Sequence, residues 1–450
     1  MNSSTDAAQP GTSNHLLRIL GVGFGLAIVI GGTVGVGILR SPGPIAEQLG
    51  SVWLIMLAWT LGGVYSLLGA NYLAELATMT PKAGGYFVYA RRAYGAYGGF
   101  VVGWSDWLYN TLAIPFIAVV FGEYCVALFG TRFPGDRILF SVSILVVLTL
   151  LNWIGLRTGS ATQKITSLLK TVALVGFVIA CFVFGGTPDA SAPVKTLESV
   201  GGFASIIAFV LAFQLILSTY DGWHSVIYFA EEDTNPKQNI PRSLFGGIAI
   251  VTVIYLLINV ALLYVLPFSK LAGSKFAGGD AISLIFGARS GQIVTILALL
   301  SLIGILNAVL MLVPRIMLAL GREGFFTKRA AEVNKGGTPV FGLFTTAIVS
   351  IVLSMIGTFE MLMAVSQFFA VTITILLIIS LFILRRNEPE APRPYKAWGY
   401  PYAPLVMLVG AVLLFFGYIF SNPYPSAYAI AFLVLSYPIF LLVRSRRPMD

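Results

Sequence analysis

The chain has 450 residues, of which 57% are hydrophobic and only 10% are charged. Soluble domains carry about 25% charged residues, so this composition excludes a soluble globular protein and indicates an all-α membrane protein with many spans. The net charge is +9, yet the basic residues lie in short loops between apolar runs, which argues against a nucleic-acid partner. Two cysteines and two histidines exclude most metal centres and acid–base enzymes. We therefore expect no cofactor, no metal site and no enzymatic activity.

The predicted elements begin with a polar N-terminal tail. Residues 1–15 contain no Lys or Arg, so they do not resemble a signal peptide, and we expect a disordered cytoplasmic tail. Residues 16–450 are expected to form one transmembrane domain. A span needs about 20 apolar residues. This length predicts twelve spans, of which the first and the sixth are interrupted: 18–47, 52–78, 97–130, 137–153, 164–185, 203–230, 244–266, 291–320, 339–357, 360–384, 403–420 and 425–443.

Lysines and arginines predict the orientation of these spans. With the N-terminus inside, 19 of them fall in inner segments and six fall in outer segments. By the positive-inside rule, this excess predicts that both termini are cytoplasmic. We therefore expect a multi-pass protein of the inner (plasma) membrane of the cell.

The first span is interrupted at residues 30–42. This stretch has glycines, a charge and a proline where a span should be most regularly helical: Gly31, Gly32, Gly35, Gly37, Arg40 and Pro42. Glycine is a poor helix former, and broken backbone in a bilayer is tolerated only where it is buried in protein or lines a cavity. An interrupted helix exposes N–H groups on one side and C=O groups on the other, which suits a zwitterion. The alternative is close helix packing, because Gly31 and Gly35 also have small-xxx-small spacing.

The sixth span is interrupted in the same way. An apolar run meets residues 218–224, which include Asp221, and then resumes. Burying an unpaired carboxylate costs at least about 2.5 kcal/mol, so Asp221 needs a partner. We expect it to cap the resumed half-helix, with a polar wall of a substrate site as the alternative. Two breaks five spans apart indicate inverted repeats, with repeat one over 18–185, repeat two over 203–384 and appended helices over 403–443.

Three further segments carry charged or aromatic residues. Arg315 follows a proline in the eighth span, and we expect its side chain to extend to the inner interface. Residues 81–95 predict a short amphipathic helix at the membrane interface, with aromatic residues on one side. The acids within residues 231–243 are predicted either to bind the basic inner loops or to remain solvated.

Several motifs, taken together, resemble those of a known family. They are residues 35–38 followed by Ser41 and Pro42, residues 72–85, residues 220–223, residues 231–242 and residues 385–401. In this order they resemble the amino acid–polyamine–organocation superfamily, and within it the L-type amino acid transporters and their bacterial relatives. The resemblance covers nearly the whole chain beyond the tail. It implies a 5+5 inverted-repeat fold with discontinuous helices 1 and 6 and two appended helices.

The resemblance implies a sodium-independent amino acid permease or exchanger that works by alternating access. Proton-coupled symport is an alternative, as is transport of anionic amino acids or polyamines. In the family, backbone amides of the first motif bind the substrate carboxylate and carbonyls of both breaks hold the ammonium. The implied substrate-binding residues are Thr33, Gly35, Val36, Gly37, Ile38, Ser218, Thr219, Tyr220, Asp221 and Gly222. Lys170 would stand where sodium-coupled relatives bind sodium, although its side chain could instead extend to the interface.

One departure from the family pattern concerns charge. Arg40 replaces an apolar residue above the carboxylate site, and we expect it to pair with Glu47 or Asp221, or to favour anionic substrates as a vestibule charge. Neither Cys125 nor Cys181 lies where a disulfide to a partner subunit is expected, so we expect no obligatory partner subunit. The expected partners are an amino acid substrate and the lipid bilayer. A channel is disfavoured because the sequence contains no repeated filter or ring of like charges.

Overall fold

The computed structural model describes residues 12–13, 15–131, 133–186, 203–356 and 359–445. The predicted tail over residues 1–15 lies largely outside this part, but Thr12–Ser13 pair antiparallel with Val333–Asn334. The described α-helices are α1 (Val22–Thr33), α2 (Gly37–Arg40), α3 (Pro42–Leu49), α4 (Val52–Met79), α5 (Tyr86–Phe129), α6 (Asp136–Ile154), α7 (Leu156–Phe184), α8 (Phe203–Tyr220), α9 (Pro236–Val265), α10 (Phe268–Ala272), α11 (Ala277–Phe286), α12 (Gly291–Arg322), α13 (Val340–Ile356), α14 (Phe359–Asn387), α15 (Tyr402–Ser421) and α16 (Pro423–Ser445). Short 3₁₀ helices cover Trp223–Phe229, Ala288–Ser290 and Lys328–Ala331.

Ten helical segments in the described chain are long and apolar enough to cross a membrane. They are α4 to α7, α8 together with the 3₁₀ helix after it, α9, α12 and α14 to α16. The prediction of twelve spans exceeds this number at two places. The first predicted span is divided among α1, α2 and α3, and α13 has only 17 residues, which is a length of about 26 Å at 1.5 Å per residue.

The segment predicted to be an interfacial helix is the beginning of α5. Gly95 has a positive φ of 80° and bends the chain there. The helical part of the prediction is confirmed from Tyr86 onwards. However, Tyr86, Phe87 and Tyr89 are buried in the protein core, so the aromatic side of this segment packs against other helices.

The two ends of the helix bundle differ in their contacts. At one end, which we call the clamped face, the N-terminal segment and the long loops bind one another. There, Arg18 donates from Nε to the carbonyl oxygen of Asp233 (2.7 Å), and Asn71 donates to that of Trp398 (2.9 Å). The opposite end, which we call the open face, contains α2, α3, α10 and α11.

Buried and partly exposed ion pairs hold the clamped face together. Glu75 is fully buried and binds both Arg385 and Arg393. Arg315 and Glu232 form two bonds of 2.9 Å. Further pairs are Arg92–Glu388, Arg322–Glu231 and Arg91–Glu323. Of the two alternatives for residues 231–243, binding to basic segments is therefore the one observed.

The expectation that the Arg315 side chain extends to the interface is wrong. This side chain is only 2% exposed because the Glu232 carboxylate and the Phe229 ring, 4.7 Å from its guanidinium carbon, retain it inside the protein. Burial raises the pKa of the Glu232 carboxyl above its ordinary value, while Arg315 acts in the opposite direction.

Candidate functional site

The first break separates α1 from α2. α1 ends at Thr33, Val34 has an extended backbone (φ −74°, ψ 104°), and α2 begins at Gly37. Within the described residues, the amides of residues 35–38 have no backbone acceptor. The helix continues into α3 because Ser41 is also helical (φ −62°, ψ −28°). The beginning of this second half-helix therefore presents several N–H groups to an anion.

The second break separates α8 from the 3₁₀ helix. Tyr220 ends α8, Gly222 has a positive φ of 101°, and the 3₁₀ helix covers Trp223–Phe229. A Cβ atom at position 222 would lie 2.4 Å from the carbonyl oxygen of Gly32. Glycine is therefore required by its backbone angle and by the close approach of the first break.

Side chains also join the two breaks. The Tyr255 hydroxyl, on α9, lies 3.1 Å from the carbonyl oxygen of Thr33 and 2.9 Å from that of Thr219. The hydroxyls of Ser41 and Thr219 are 3.2 Å apart. Both predicted interruptions are thus present, and they lie against each other.

A cavity of about 690 Å³ lies between the two breaks. Residues expected from the sequence that line it are Thr33, Gly35, Val36, Gly37, Arg40, Ser218, Thr219, Asp221 and Gly222. Ile38 and Tyr220 do not line it, because both side chains are buried, and the Tyr220 hydroxyl donates to the Trp59 carbonyl. Lys275, from the open face, is also in the wall. The cavity therefore extends towards the open face, away from the ion pairs of the clamped face.

Some cavity residues were not singled out by the sequence motifs. These are Tyr109, Asn110, Lys275, Ser366 and Gln367, among others. A signal was available for two of them. Tyr109 and Asn110 lie three and four residues after Asp106, so the three polar side chains share one side of α5.

Asp221 is a wall of the cavity and not a helix cap. Its carboxylate accepts hydrogen bonds from the Tyr109 hydroxyl (2.5 Å) and the Gly222 amide (2.8 Å), and His224 Nδ1 lies 3.8 Å away. The 3₁₀ helix is preceded by Gly222 and has no side-chain cap. The cap prediction is therefore wrong, because Asp221 binds the very next amide instead of one in the first turn. Its alternative, a polar wall, fits the structure.

Lys170 is fully buried on α7 beneath the first break. Its Nζ donates to the carbonyl oxygens of Gly31 (2.7 Å) and Val34 (2.6 Å). A Cβ at position 304, on α12, would lie 3.1 Å from this Nζ, so the ammonium lies between α1 and α12. Extension of the side chain to the interface, the alternative considered for it, is wrong.

Two donors continue this contact along α7. Ser167 donates to the Ala27 carbonyl (2.7 Å), and Gln163 donates to the same oxygen (3.4 Å). Together with Lys170 they form what we call the α7 ladder, in which side chains at three successive levels of α7 bind carbonyls of α1. These bonds hold the two helices together up to the break.

Arg40 is exposed and lines the cavity. Within the described chain it forms no ion pair with Glu47 or Asp221, so both expected pairings are wrong. Lys275 adds a second positive charge to the wall, whereas Glu123 is paired with Arg137 at 3.5 Å. The described residues contain no group of three or more His, Cys, Asp or Glu side chains that could hold a metal ion.

Comparisons with known proteins agree with this geometry. Residues 25–442 match the profile of a family described as "Amino acid permease". The chain belongs to this amino acid permease family. The permease is therefore an integral membrane protein that transports amino acids, and it is not an enzyme.

Named relatives cover almost the whole permease. It is 26% identical to the Serine/threonine exchanger SteT of Bacillus subtilis (strain 168), over 96% of this chain and 98% of that protein. It is 29% identical to the human b(0,+)-type amino acid transporter 1, over 93% of this chain and 86% of that protein. It is also 29% identical to the human Large neutral amino acids transporter small subunit 2, over 98% of this chain and 83% of that protein.

Proposed function

We propose that the permease is a sodium-independent amino acid exchanger that works by alternating access. The observation that carries this proposal is the pair of helix breaks that meet at one cavity, with free amides on one side and a buried ammonium beneath. Free backbone groups at a break recognise the α-amino acid moiety whatever the side chain. The name of the Bacillus subtilis relative, an exchanger, supports exchange in particular.

In the proposed complex, the amides of Val36, Gly37 and Ile38 bind the substrate carboxylate. The carbonyls of Thr33, Ser218 and Asp221 hold the ammonium, and the other contributing residues are Gly35, Thr219, Tyr220 and Gly222. Because the side chains of Ile38 and Tyr220 point away from the cavity, both would act through backbone groups alone. The absence of a backbone acceptor for the amides of residues 35–38, within the described chain, supports this assignment.

Lys170 makes sodium unnecessary in this proposal. Its ammonium already occupies a position between α1 and α12 and binds two carbonyls, as a sodium ion would. A fixed positive charge there would hold the first break in shape without a bound cation.

The proposed architecture is a single domain over residues 16–450 with twelve spans, in which two repeats of five, over 18–185 and 203–384, precede two appended helices over 403–443. Both termini would be cytoplasmic, in the inner membrane of the cell. The clamped face would then be the inner one. The permease would be in an outward-facing state, because its cavity extends to the opposite face while ion pairs close the inner one.

Two alternatives have observations in their favour. Arg40 and Lys275 on the cavity wall favour anionic amino acids over polyamines as the alternative substrates. Proton-coupled symport is favoured by the buried titratable groups near the cavity.

We also propose that no partner subunit is required, since the thiols of Cys125 and Cys181 are both buried, although one relative is itself named a small subunit.

Counter-flow into proteoliposomes tests the proposal. Vesicles preloaded with unlabelled amino acid should accumulate labelled amino acid, equally well in sodium and in choline buffer. A panel of neutral, acidic and basic amino acids in the same assay identifies the substrate. Strict dependence on sodium, or uptake that needs an imposed pH gradient and no internal amino acid, would overturn the exchanger assignment.

A further inference from the structure

Asp106 is a buried acid on α5 that the proposed substrate site does not use. Its exposed fraction is 0%, and no ion pair of the described chain includes it. Tyr228 donates its hydroxyl towards both carboxylate oxygens (2.8 and 3.0 Å), and Asn110 donates from Nδ2 to one of them (2.9 Å). A carboxylate that is buried without a cation commonly takes up a proton instead of remaining charged.

The titratable groups around Asp106 are aromatic. The rings of Tyr228 and Tyr86 are 5.6 Å apart, and His224 lies 5.3 Å from Tyr86 and 6.2 Å from Tyr228. Asp221 lies beyond His224. The described charged side chains on α5 and on the helices packed against it are Arg91, Arg92, Glu123, Asp136, Arg137, Arg315, Arg322, Arg385, Arg386 and Arg444. Arg315, the buried one on α12, is bound to Glu232.

Two cavities lie close to Asp106. Asn110 lines the substrate cavity and donates to Asp106, so a single side chain separates the acid from that cavity. Tyr86 lines a second cavity of about 100 Å³, whose wall also includes His224. A water molecule needs about 10–15 Å³ of such volume, so the second cavity has room for several.

The bond between Tyr228 and Asp106 joins two elements that belong to different proposed repeats. Tyr228 belongs to the 3₁₀ helix that follows the second break, whereas Asp106 belongs to α5. In inverted-repeat transporters, alternating access largely moves one repeat or bundle against the other, so the two elements would shift relative to each other. A negative charge on Asp106 strengthens the bond from the Tyr228 hydroxyl, and a proton on Asp106 weakens it.

We propose that Asp106 is a proton-binding site of the permease, and that its protonation releases Tyr228 so that the 3₁₀ helix can leave α5 during transport. One proton from water joins the carboxylate, and only hydrogen bonds change. The inference rests on the proposed transport function.

Infrared difference spectroscopy of the reconstituted permease tests proton binding without transport. In a pH titration, a protonated carboxyl band should appear as the pH falls. Asp106→Asn should abolish this band, and Glu390→Gln, which alters an exposed acid, should retain it. If Asp106→Asn keeps every carboxyl band of the unaltered permease, Asp106 binds no proton and the inference is overturned.

Counter-flow at the pH values of that titration tests the link to transport. Exchange by the unaltered permease should rise by up to about tenfold for each unit that the pH falls on the alkaline side of the titration. Asp106→Asn should exchange at a rate independent of pH. Tyr228→Phe should also lose the pH dependence while keeping the carboxyl band. Tyr89→Phe is the matched control on α5, because its buried hydroxyl has no hydrogen-bond partner in the described chain, and it should keep the pH dependence.

The outcomes separate the two proposals. Exchange that does not vary with pH in the unaltered permease, or that varies equally in Asp106→Asn, overturns the proton site and leaves the exchanger intact. Pronounced pH dependence in Tyr228→Phe overturns the role of its hydroxyl. Absence of counter-flow at every pH, with the infrared titration present, overturns the proposed function instead.

Discussion

Replacing Lys170 by methionine removes an ammonium while nearly preserving side-chain length. The carbonyls of Gly31 and Val34 then lose donors at 2.7 and 2.6 Å inside the protein. An unsatisfied buried acceptor costs about 1–3 kcal/mol, so the two together should destabilise the break by about 2–6 kcal/mol. Since every 1.4 kcal/mol is tenfold in an equilibrium constant, even the lower value would reduce the population with the site formed by about 30-fold.

Counter-flow measures the loss of the formed site, and thermal unfolding measures the destabilisation. We expect Lys170→Met to lose most exchange and to unfold at a lower temperature than the unaltered permease. Lys164→Met is the matched control, because Lys164 is exposed on the same helix, and it should behave normally. Wild-type exchange and stability in Lys170→Met would refute the idea that the ammonium maintains the first break.

Three other substitutions have defined outcomes. Gly222→Ala places a Cβ against a backbone carbonyl at a positive φ and should destabilise the permease by more than about 2 kcal/mol. Gly23→Ala, at a position with open space around it, should not destabilise it. Equal shifts in the unfolding temperature of the two variants would contradict the steric argument. Arg315→Met should lower the free energy of unfolding by about 3–5 kcal/mol. The loss should be largest at alkaline pH, because the pKa of an unpaired Glu232 is raised further and stability is lost as the pH rises through that pKa. Adding Glu232→Gln to Arg315→Met should recover part of the unfolding temperature, and no recovery would argue against the pair. Arg40→Ala should shift counter-flow from acidic towards neutral amino acids, and an unchanged ranking would remove Arg40 from substrate selection.

The two breaks could be predicted from the sequence because they depend on local chemistry. Residues 30–42 have too many glycines for a continuous helix, and Asp221 with Gly222 interrupts an apolar run in the same way. The position of Lys170 under the first break was implied by resemblance alone. Helical spacing shows that it shares a side of α7 with Gln163 and Ser167, but not which helix that side faces.

The partners of charged residues could not be predicted, because they come from distant parts of the chain. Arg315 binds Glu232, 83 positions away. Lys275 reaches the cavity from a segment whose sequence has no motif. Asp221 was misassigned as a cap for a related reason. Its carboxylate accepts a hydrogen bond from Tyr109, 112 positions away, instead of from an amide in the first turn of the next helix.

The α7 ladder restricts how α1 can move. Gln163 and Ser167 both donate to the Ala27 carbonyl, and Lys170, further along α7, donates to the carbonyls of Gly31 and Val34. Equivalent carbonyls of α1 recur only once per turn, about 5.4 Å. A smaller slide of α1 along α7 would lengthen the bonds from Ser167 and Lys170 without bringing equivalent carbonyls into their place. We therefore expect α1 to tilt away from α7 about the end that the Lys170 ammonium holds. The weakest bond, 3.4 Å from Gln163 to Ala27, would then part first, at the end nearest the clamped face.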